Sequence, residues 1–192
     1  MRLTKERAAQ NRQTILDTAG RLFRERGFDR VGVADLMKEA GFTHGGFYNH
    51  FASKEALAAA VCASEIARAN RGLADALEGE AKGRAWERYV EQYLSRDHRD
   101  HPGRGCTVAA LAGDAGRQDE AVQGGFAGGL EEVLAILTDL YARSAKSRPA
   151  ARARALRVYS ELVGALILSR SVAAANPALA DEILAASRRR KR

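Results

Sequence analysis

The sequence contains only two cysteines and no long apolar run, and both shortages narrow the class of protein. Cys62 and Cys106 are too few for a disulfide framework and lack the spacing of zinc ligands, which fits a reducing compartment. The longest apolar stretch, Leu162–Leu168, is far too short to span a bilayer. The first residues contain no apolar segment of the signal-peptide kind. We therefore expect a cytoplasmic protein.

The net charge narrows the kind of partner that the chain would bind. The 192 residues include 31 Lys and Arg against 24 Asp and Glu, a formal net charge of +7. This excess favours an anionic partner, with nucleic acid ahead of a membrane surface. An ordinary basic protein would have the same balance, so charge alone leaves both interpretations open. The hydrophobic fraction of 46% is enough for a packed core.

Helical periodicity runs through nearly the whole chain. Apolar residues recur along one face from Ile15 to Phe23, and again from Val33 to Ala40, and a glycine follows each segment. Longer helical patterns follow, except for a polar stretch at 96–105 that predicts a loop. The pattern contains no convincing strand or repeat. We predict an all-α fold of about nine helices, with a three-helix head at residues 1–54 and a larger helical body at 55–192.

The segment 33–51, VADLMKEAGFTHGGFYNHF, is typical of a helix-turn-helix. Two short helices meet at residues 40–43, where glycine makes the turn and Thr43 stands ready to cap the second helix. The N-terminal residues of that helix, His44 and Gly45, are placed to face base edges in a major groove. Phe42, Phe47 and Phe51 are predicted to be core residues.

Polar groups suited to phosphate follow directly. Tyr48 and His50 carry a hydroxyl and an imidazole, and Lys54 follows Ser53 at the start of the next helix. A lysine beside the free N–H groups of a helix N-terminus is a good phosphate clamp. An alternative for His50 is an ordinary core or surface histidine.

Residues 12–60 resemble the TetR (tetracycline repressor) family. The resemblance is carried by the segments Ile15–Ala19, Leu22–Phe28, Ala40–Thr43, His44–Phe51 and Ser53–Leu57. It implies a three-helix DNA-binding head, a helical ligand-binding body and a homodimer built from the last two long helices. One departure concerns the start of the second helix, where the family usually has Ser or Thr. Gly32 stands there and offers no hydroxyl to a phosphate.

The resemblance also implies roles for individual residues of the head. Thr43, His44 and Gly45 would face bases or nearby phosphates. Tyr48, His50 and Lys54 would hold the DNA backbone, and Asn49 completes the DNA-binding set.

The helix predicted at about 150–175 is apolar almost all round, which indicates burial on two sides. Its second partner would be the same helix of another subunit. The predicted dimer interface comprises Leu162, Gly164, Ala165, Leu168 and Ile183. The alternative is the central helix of a monomer. The basic run Arg188–Arg192 is interpreted as a solvated tail.

Aromatic residues of the body are candidates for a ligand pocket between helices. The predicted set is Trp86, Tyr89, Tyr93, Cys106, Phe126 and Tyr141. Each of them is alternatively a core or interface residue. Cys106 follows a cation-rich loop and precedes a helix start, which would lower the pKa of its thiol and suggests a sensing cysteine. The alternative for Cys106 is a small packing residue.

These features predict a ligand-responsive transcriptional regulator, a repressor released from a near-palindromic operator when a small molecule binds the body. The predicted partners are double-stranded DNA, an unidentified effector and a second copy of the chain, with no membrane, metal or cofactor. A redox or electrophile sensor using Cys106 is the alternative. An enzyme using that thiol with His98 or His101 is weaker, because no nucleotide loop, carboxylate pair or metal spacing accompanies it. An architectural DNA-binding protein would not need so large a body.

Overall fold

The computed structural model describes residues 5–78, 82–142 and 144–189, and these residues form α-helices, two 3₁₀ helices and connecting turns. The α-helices are α1 (Lys5–Arg26), α2 (Val33–Glu39), α3 (Lys54–Ala76), α4 (Lys82–Tyr93), α5 (Arg96–Asp100), α6 (Thr107–Ala115), α7 (Glu120–Ala142), α8 (Arg148–Val172) and α9 (Pro177–Arg189). The 3₁₀ helices are His44–Asn49 and Pro102–Arg104. The all-α prediction is confirmed. Within the described ranges, every helix is too short or too polar to cross a membrane.

The N-terminal head is built on the apolar face of α1, which buries the predicted residues from Ile15 to Phe23. Gly27 and Gly41 follow α1 and α2 with φ of +79° and +82°. A side chain is strained in this left-handed region, so glycine ends both helices at low cost. The short connections that result bring α1, α2 and the first 3₁₀ helix around one core.

The second element of the helix-turn-helix differs from the prediction, because His44–Asn49 forms a 3₁₀ helix where an α-helix was expected. The adjacent Gly45 and Gly46 each disfavour an α-helix by about 1 kcal/mol relative to alanine. The hydroxyl of Thr43 makes no capping bond, although Thr43 occupies the cap position. The segment is instead anchored by Phe47, which is fully buried.

In the body, α3 and α7 cross closely through small residues. The Ser53 hydroxyl accepts a hydrogen bond from the Ala56 N–H at 3.1 Å and starts α3. Gly125 and Gly129 of α7 then face α3, and a Cβ at Gly129 would lie 2.9 Å from the Cβ of Ile66. The two helices can approach this closely because the glycines have no side chains.

The loop predicted at 96–105 is wrong in part, because residues 96–100 form α5 and residues 102–104 form a 3₁₀ helix. The Ser95 hydroxyl accepts the His98 N–H at 3.1 Å and caps α5, and Pro102 begins the 3₁₀ helix. Both starts rest on local signals in a stretch whose apolar periodicity is weak.

Helix α8 begins at the predicted boundary, where the Ser147 hydroxyl caps its first turn and Pro149 lies in that turn. Its inner face packs in the protomer's own core, and it holds α9 through a hydrogen bond from the Ser169 hydroxyl to the Ala180 carbonyl at 2.8 Å. The outward face carries Leu156, Ile167 and Leu168, all exposed. Of the predicted tail, residues 190–192 lie outside the described residues.

The α3–α7 crossing generates the first prediction. We expect Gly129→Ala to lower the free energy of unfolding by about 1–3 kcal/mol, because the new methyl group overlaps Ile66. Urea unfolding measures the change. Gly128 of the same helix has open space around its Cβ, so Gly128→Ala should stabilise the chain by about 0.5–1 kcal/mol. Equal effects of the two substitutions would contradict close packing at this crossing.

Candidate DNA-binding surface and body cavity

The predicted DNA-contacting residues form one exposed surface of the head. Thr43, His44, Gly45, Tyr48 and Asn49 are exposed, while His50 and Lys54 are half-buried. The side chain of Tyr48 is 63% exposed, which is unusual for a large aromatic residue. Its ring lies edge-on to the His44 ring, with centroids 6.2 Å apart.

Buried aromatic residues fix this surface from below. Phe47 packs against Tyr48 on one side and Phe51 on the other, with ring centroids 5.3 Å and 5.8 Å away. The guanidinium of Arg12 lies over the Phe51 ring at 4.6 Å from the centroid, a cation–π contact between α1 and the end of the surface. The alternating buried and exposed rings hold Tyr48 and His44 outward.

The N-termini of α3 and α2 lie next to this surface, and their cap positions differ. Lys54 is the first residue of α3, immediately after the Ser53 cap, so the residue lies in the first turn, where backbone N–H groups are free. At α2 the cap position is Gly32, with extended backbone and no side-chain cap. The cap position of α2 therefore offers no side-chain hydroxyl.

The body contains a cavity of about 590 Å³ between α3, α4 and the segment from Ser95 to Val108. Of the six predicted pocket residues, Tyr89, Tyr93 and Cys106 line it. The other three lie elsewhere in the core: Trp86 stacks on Tyr89 and meets Tyr141 edge-on, and Phe126 is buried on α7.

The wall contributed by α3 was missed from the sequence. Ile66, Asn70 and Leu73 line the cavity from this helix. The Asn70 amide donates to the Gly129 carbonyl at 2.9 Å and to the Glu132 carboxylate at 2.8 Å. The sequence contains one signal for this wall. Asn70 is a lone polar residue on an apolar helix face, four residues after Ile66 and three before Leu73.

Three tyrosines surround the thiol of Cys106. Burial raises the pKa of Tyr89, Tyr93 and Tyr159, so all three hydroxyls stay protonated and are available as hydrogen-bond donors. The Tyr93 hydroxyl is buried and has no hydrogen-bond partner in the described part of the chain. The cavity therefore holds a protonated hydroxyl close to the thiol of Cys106.

His98 fixes the backbone of Cys106. Its Nδ1 lies 2.7 Å from the Tyr93 carbonyl oxygen, which only accepts, so Nδ1 carries the hydrogen. Its Nε2 then accepts the Cys106 N–H at 2.9 Å. This arrangement requires a neutral ring, and burial accordingly lowers the pKa of His98. Cys106 occupies the N-terminal cap position of α6, and its side chain makes no capping hydrogen bond.

Comparison with known proteins identifies the head. Residues 15–61 match the model of the bacterial regulatory proteins of the tetR family, and this range includes most of the head and the start of α3. The head is therefore similar to those of tetR-family regulatory proteins. The resemblance noted in the sequence is thereby confirmed.

Relatives and solved structures extend the comparison to the body. The A-factor receptor protein of Streptomyces griseus is 40% identical over 29% of this chain, which corresponds to 20% of that protein's length. The transcriptional repressor NemR of Escherichia coli is 27% identical over 71% of this chain and 69% of its own length. The solved reduced form of NemR has a TM-score of 0.77 at 23% identity, with 95% of each chain covered. A TetR regulator from Legionella pneumophila has a TM-score of 0.79 at 16% identity, covering 100% of this chain and 97% of that one. The last two likenesses show the same fold.

The head packs closely against the elements beside the cavity. A Cβ at Gly27, after α1, would lie 2.6 Å from an Asp114 carboxylate oxygen of α6. A Cβ at Gly103 would lie 2.9 Å from the carboxylate carbon of Glu25. Each glycine thus leaves room for a side chain from the other side of the contact.

The neutral state of His98 generates the second prediction. Because the pKa of His98 is lower in the folded chain than in the unfolded chain, the unfolded chain binds more protons below about pH 6.5. We expect the free energy of unfolding to fall as the pH drops from 7.5 to 5.5, with a slope no steeper than about 1.4 kcal/mol per pH unit from this residue. Urea unfolding at several pH values measures the slope.

The control is the exposed His101 of the same segment. His98→Gln should flatten the slope, whereas His101→Gln should leave it unchanged. A slope that survives in His98→Gln would show that another group is responsible.

Proposed function

We propose that the chain is a ligand-responsive transcriptional repressor that binds a near-palindromic operator as a homodimer and leaves it when a small molecule enters the body cavity. The observation that carries this proposal is the exposed surface around His44 and Tyr48, held outward by buried rings on a TetR-family head. Residues 1–54 bind DNA, and residues 55–192 bind the effector and the second subunit.

The head has the chemistry for two kinds of DNA contact. His44 is exposed at the start of the 3₁₀ helix, where it can reach base edges. Tyr48, His50 and Lys54 supply a hydroxyl, an imidazole and an ammonium group for phosphates. Lys5, Arg7 and Arg12 on α1 add attraction that does not depend on base sequence.

The dimer is proposed to form through the outward faces of α8 and α9. Leu156, Ile167, Leu168 and Leu179 are exposed there, and the Cβ position of Gly164 is open. Leu162 and Ala165 from the predicted interface are instead buried inside the protomer. The proposed interface therefore comprises Leu168, Gly164 and the half-buried Ile183 from the predicted set, together with Leu156, Ile167 and Leu179. Two-fold symmetry then places two heads on successive half-sites.

The effector is proposed to occupy the cavity of about 590 Å³, a volume in the range of small-molecule sites. It must bind the DNA-free conformation more tightly than the DNA-bound one, because only a difference in affinity shifts the equilibrium. We assign no catalytic reaction to this cavity. Since the operator is chromosomal DNA, the chain acts in the cytoplasm.

The third prediction tests the DNA surface with duplexes selected by the wild-type chain from a random pool. Lys54→Gln should weaken binding to all sequences and reduce the slope of log affinity against log salt by about 0.9, because one phosphate contact is lost. His44→Ala should instead relax the preference at one base pair, worth about 1–3 kcal/mol. Fluorescence anisotropy at several salt concentrations measures both effects.

Lys146 provides the matched control. It is an exposed lysine in the turn between α7 and α8, so Lys146→Gln makes the same charge change far from the head. If Lys54→Gln changes the salt slope no more than Lys146→Gln, the phosphate role is wrong. If His44→Ala selects the same sequences as the wild type, the base-reading role is wrong.

A second candidate function is a thiol sensor within the same regulator. It is favoured by the position of Cys106, which lies in the cavity wall at the N-terminus of α6, close to the unused hydroxyl of Tyr93. Covalent modification there would place a new group inside the effector cavity. In this form of the regulator the effector is a reactive molecule that modifies the thiol.

The fourth prediction tests this candidate by mass spectrometry after mild iodoacetamide treatment of the native chain. We expect Cys106 to be alkylated and Cys62 to stay free, because burial raises the pKa of Cys62 to about 12 and leaves almost no thiolate. Alkylation should reduce operator binding in the wild type but not in Cys106→Ala. An unmodified Cys106 in the native chain would exclude the sensor.

A further inference from the structure

One arginine of the DNA-binding head reaches into the body. The Arg24 guanidinium, near the end of α1, is buried and donates from Nε and Nη2 to the Gly103 carbonyl oxygen at 2.9 and 2.7 Å. Its Nη1 donates to the Glu65 carboxylate of α3 at 2.5 Å and lies 3.4 Å from the Thr107 hydroxyl. Four hydrogen bonds thus connect one side chain to three body elements: α3, the 3₁₀ helix 102–104 and the start of α6.

The segment that Arg24 holds has two sides. Arg104, Gly105, Cys106 and Thr107 line the body cavity. The carbonyl of Gly103 and the hydroxyl of Thr107 point instead to Arg24. A displacement of this short segment by a molecule in the cavity therefore moves the atoms to which the head is bonded.

We propose that Arg24 is the positioning residue that couples occupancy of the body cavity to the orientation of the DNA-binding head, through its hold on Gly103 and Thr107. This inference rests on the effector response proposed above and assigns the residue that transmits it.

The chemistry of arginine suits this role. Its planar guanidinium presents donors in fixed directions, so two of them meet one carbonyl while a third meets the carboxylate. Glu65 balances the buried charge and is itself contacted by Arg68 at 2.6 Å. A lysine at position 24 would keep the charge opposite Glu65 but would lack the paired donors that hold Gly103.

Arg21 offers a matched control one turn earlier on α1. Its guanidinium bonds to Glu25 and Glu39, which both belong to the head. It therefore forms ion pairs from the same helix without a bond to the 102–107 segment, although its pairs are exposed and the pair of Arg24 with Glu65 is buried. A substitution there perturbs α1 but leaves the proposed connection intact.

The test is a double-mutant cycle on operator affinity, measured with a duplex selected by the wild-type chain. Cys106→Trp fills the cavity from its wall and stands in for a bound molecule. We expect it to weaken operator binding about tenfold or more in the wild-type and Arg21→Gln backgrounds. In Arg24→Lys its effect should shrink to about twofold or less, within the range of independent sites. A merely structural Arg24 would shift affinity and stability without removing this dependence.

A second set of variants keeps the test valid if a first variant misfolds. Circular dichroism shows whether each variant is folded. Arg24→Gln with Glu65→Gln removes the pair without leaving a buried charge, and iodoacetamide on Cys106 replaces Cys106→Trp as the filler. An undiminished effect of the filler in both Arg24 backgrounds overturns the proposal, as does a filler without effect in the wild type. A wild-type chain that selects no duplex at all overturns the proposed regulator itself, which is a distinct result.

Discussion

The bonds from Arg24 to Gly103 and Glu65 are the constraint on which the arrangement of head and body depends. A buried guanidinium is costly unless its donors are used and its charge is balanced. The Arg24 contacts therefore fix three elements at once: the end of α1, the middle of α3 and the 3₁₀ helix before α6. Together with the close contacts at Gly27 and Gly103, this side chain sets the relative positions of the exposed surface of the head and the cavity.

Much of the fold was predictable because its signals are local. The periodicity from Ile15 to Phe23, and the glycines after α1 and α2, set the head with short connections that leave few arrangements. The same holds for Ser147 and Pro149 at the start of α8. The exposure of the DNA-contacting set follows from the resemblance to the TetR family rather than from periodicity.

The body was less predictable because its helices are apolar on more than one face. In α8, spacing alone does not distinguish the inward Leu162 from the outward Leu168. Nor does it reveal that Trp86 and Phe126 pack in the core while Asn70 faces a cavity. These assignments depend on how helices cross, and the α3–α7 crossing is set by contacts between residues about sixty positions apart, such as Ile66 and Gly129.

Gly45 is a position of the exposed head surface where other side chains can be accommodated. It is exposed, its φ is not positive, and no atom lies within 4 Å of its Cβ position beyond its own neighbours. Larger side chains at this position meet no steric obstacle in the fold, and most favour a helical backbone more than glycine does. Under the proposed DNA-binding function, single substitutions here change the surface offered to DNA and leave folding untouched, while the buried Phe47 two residues later cannot be changed so freely.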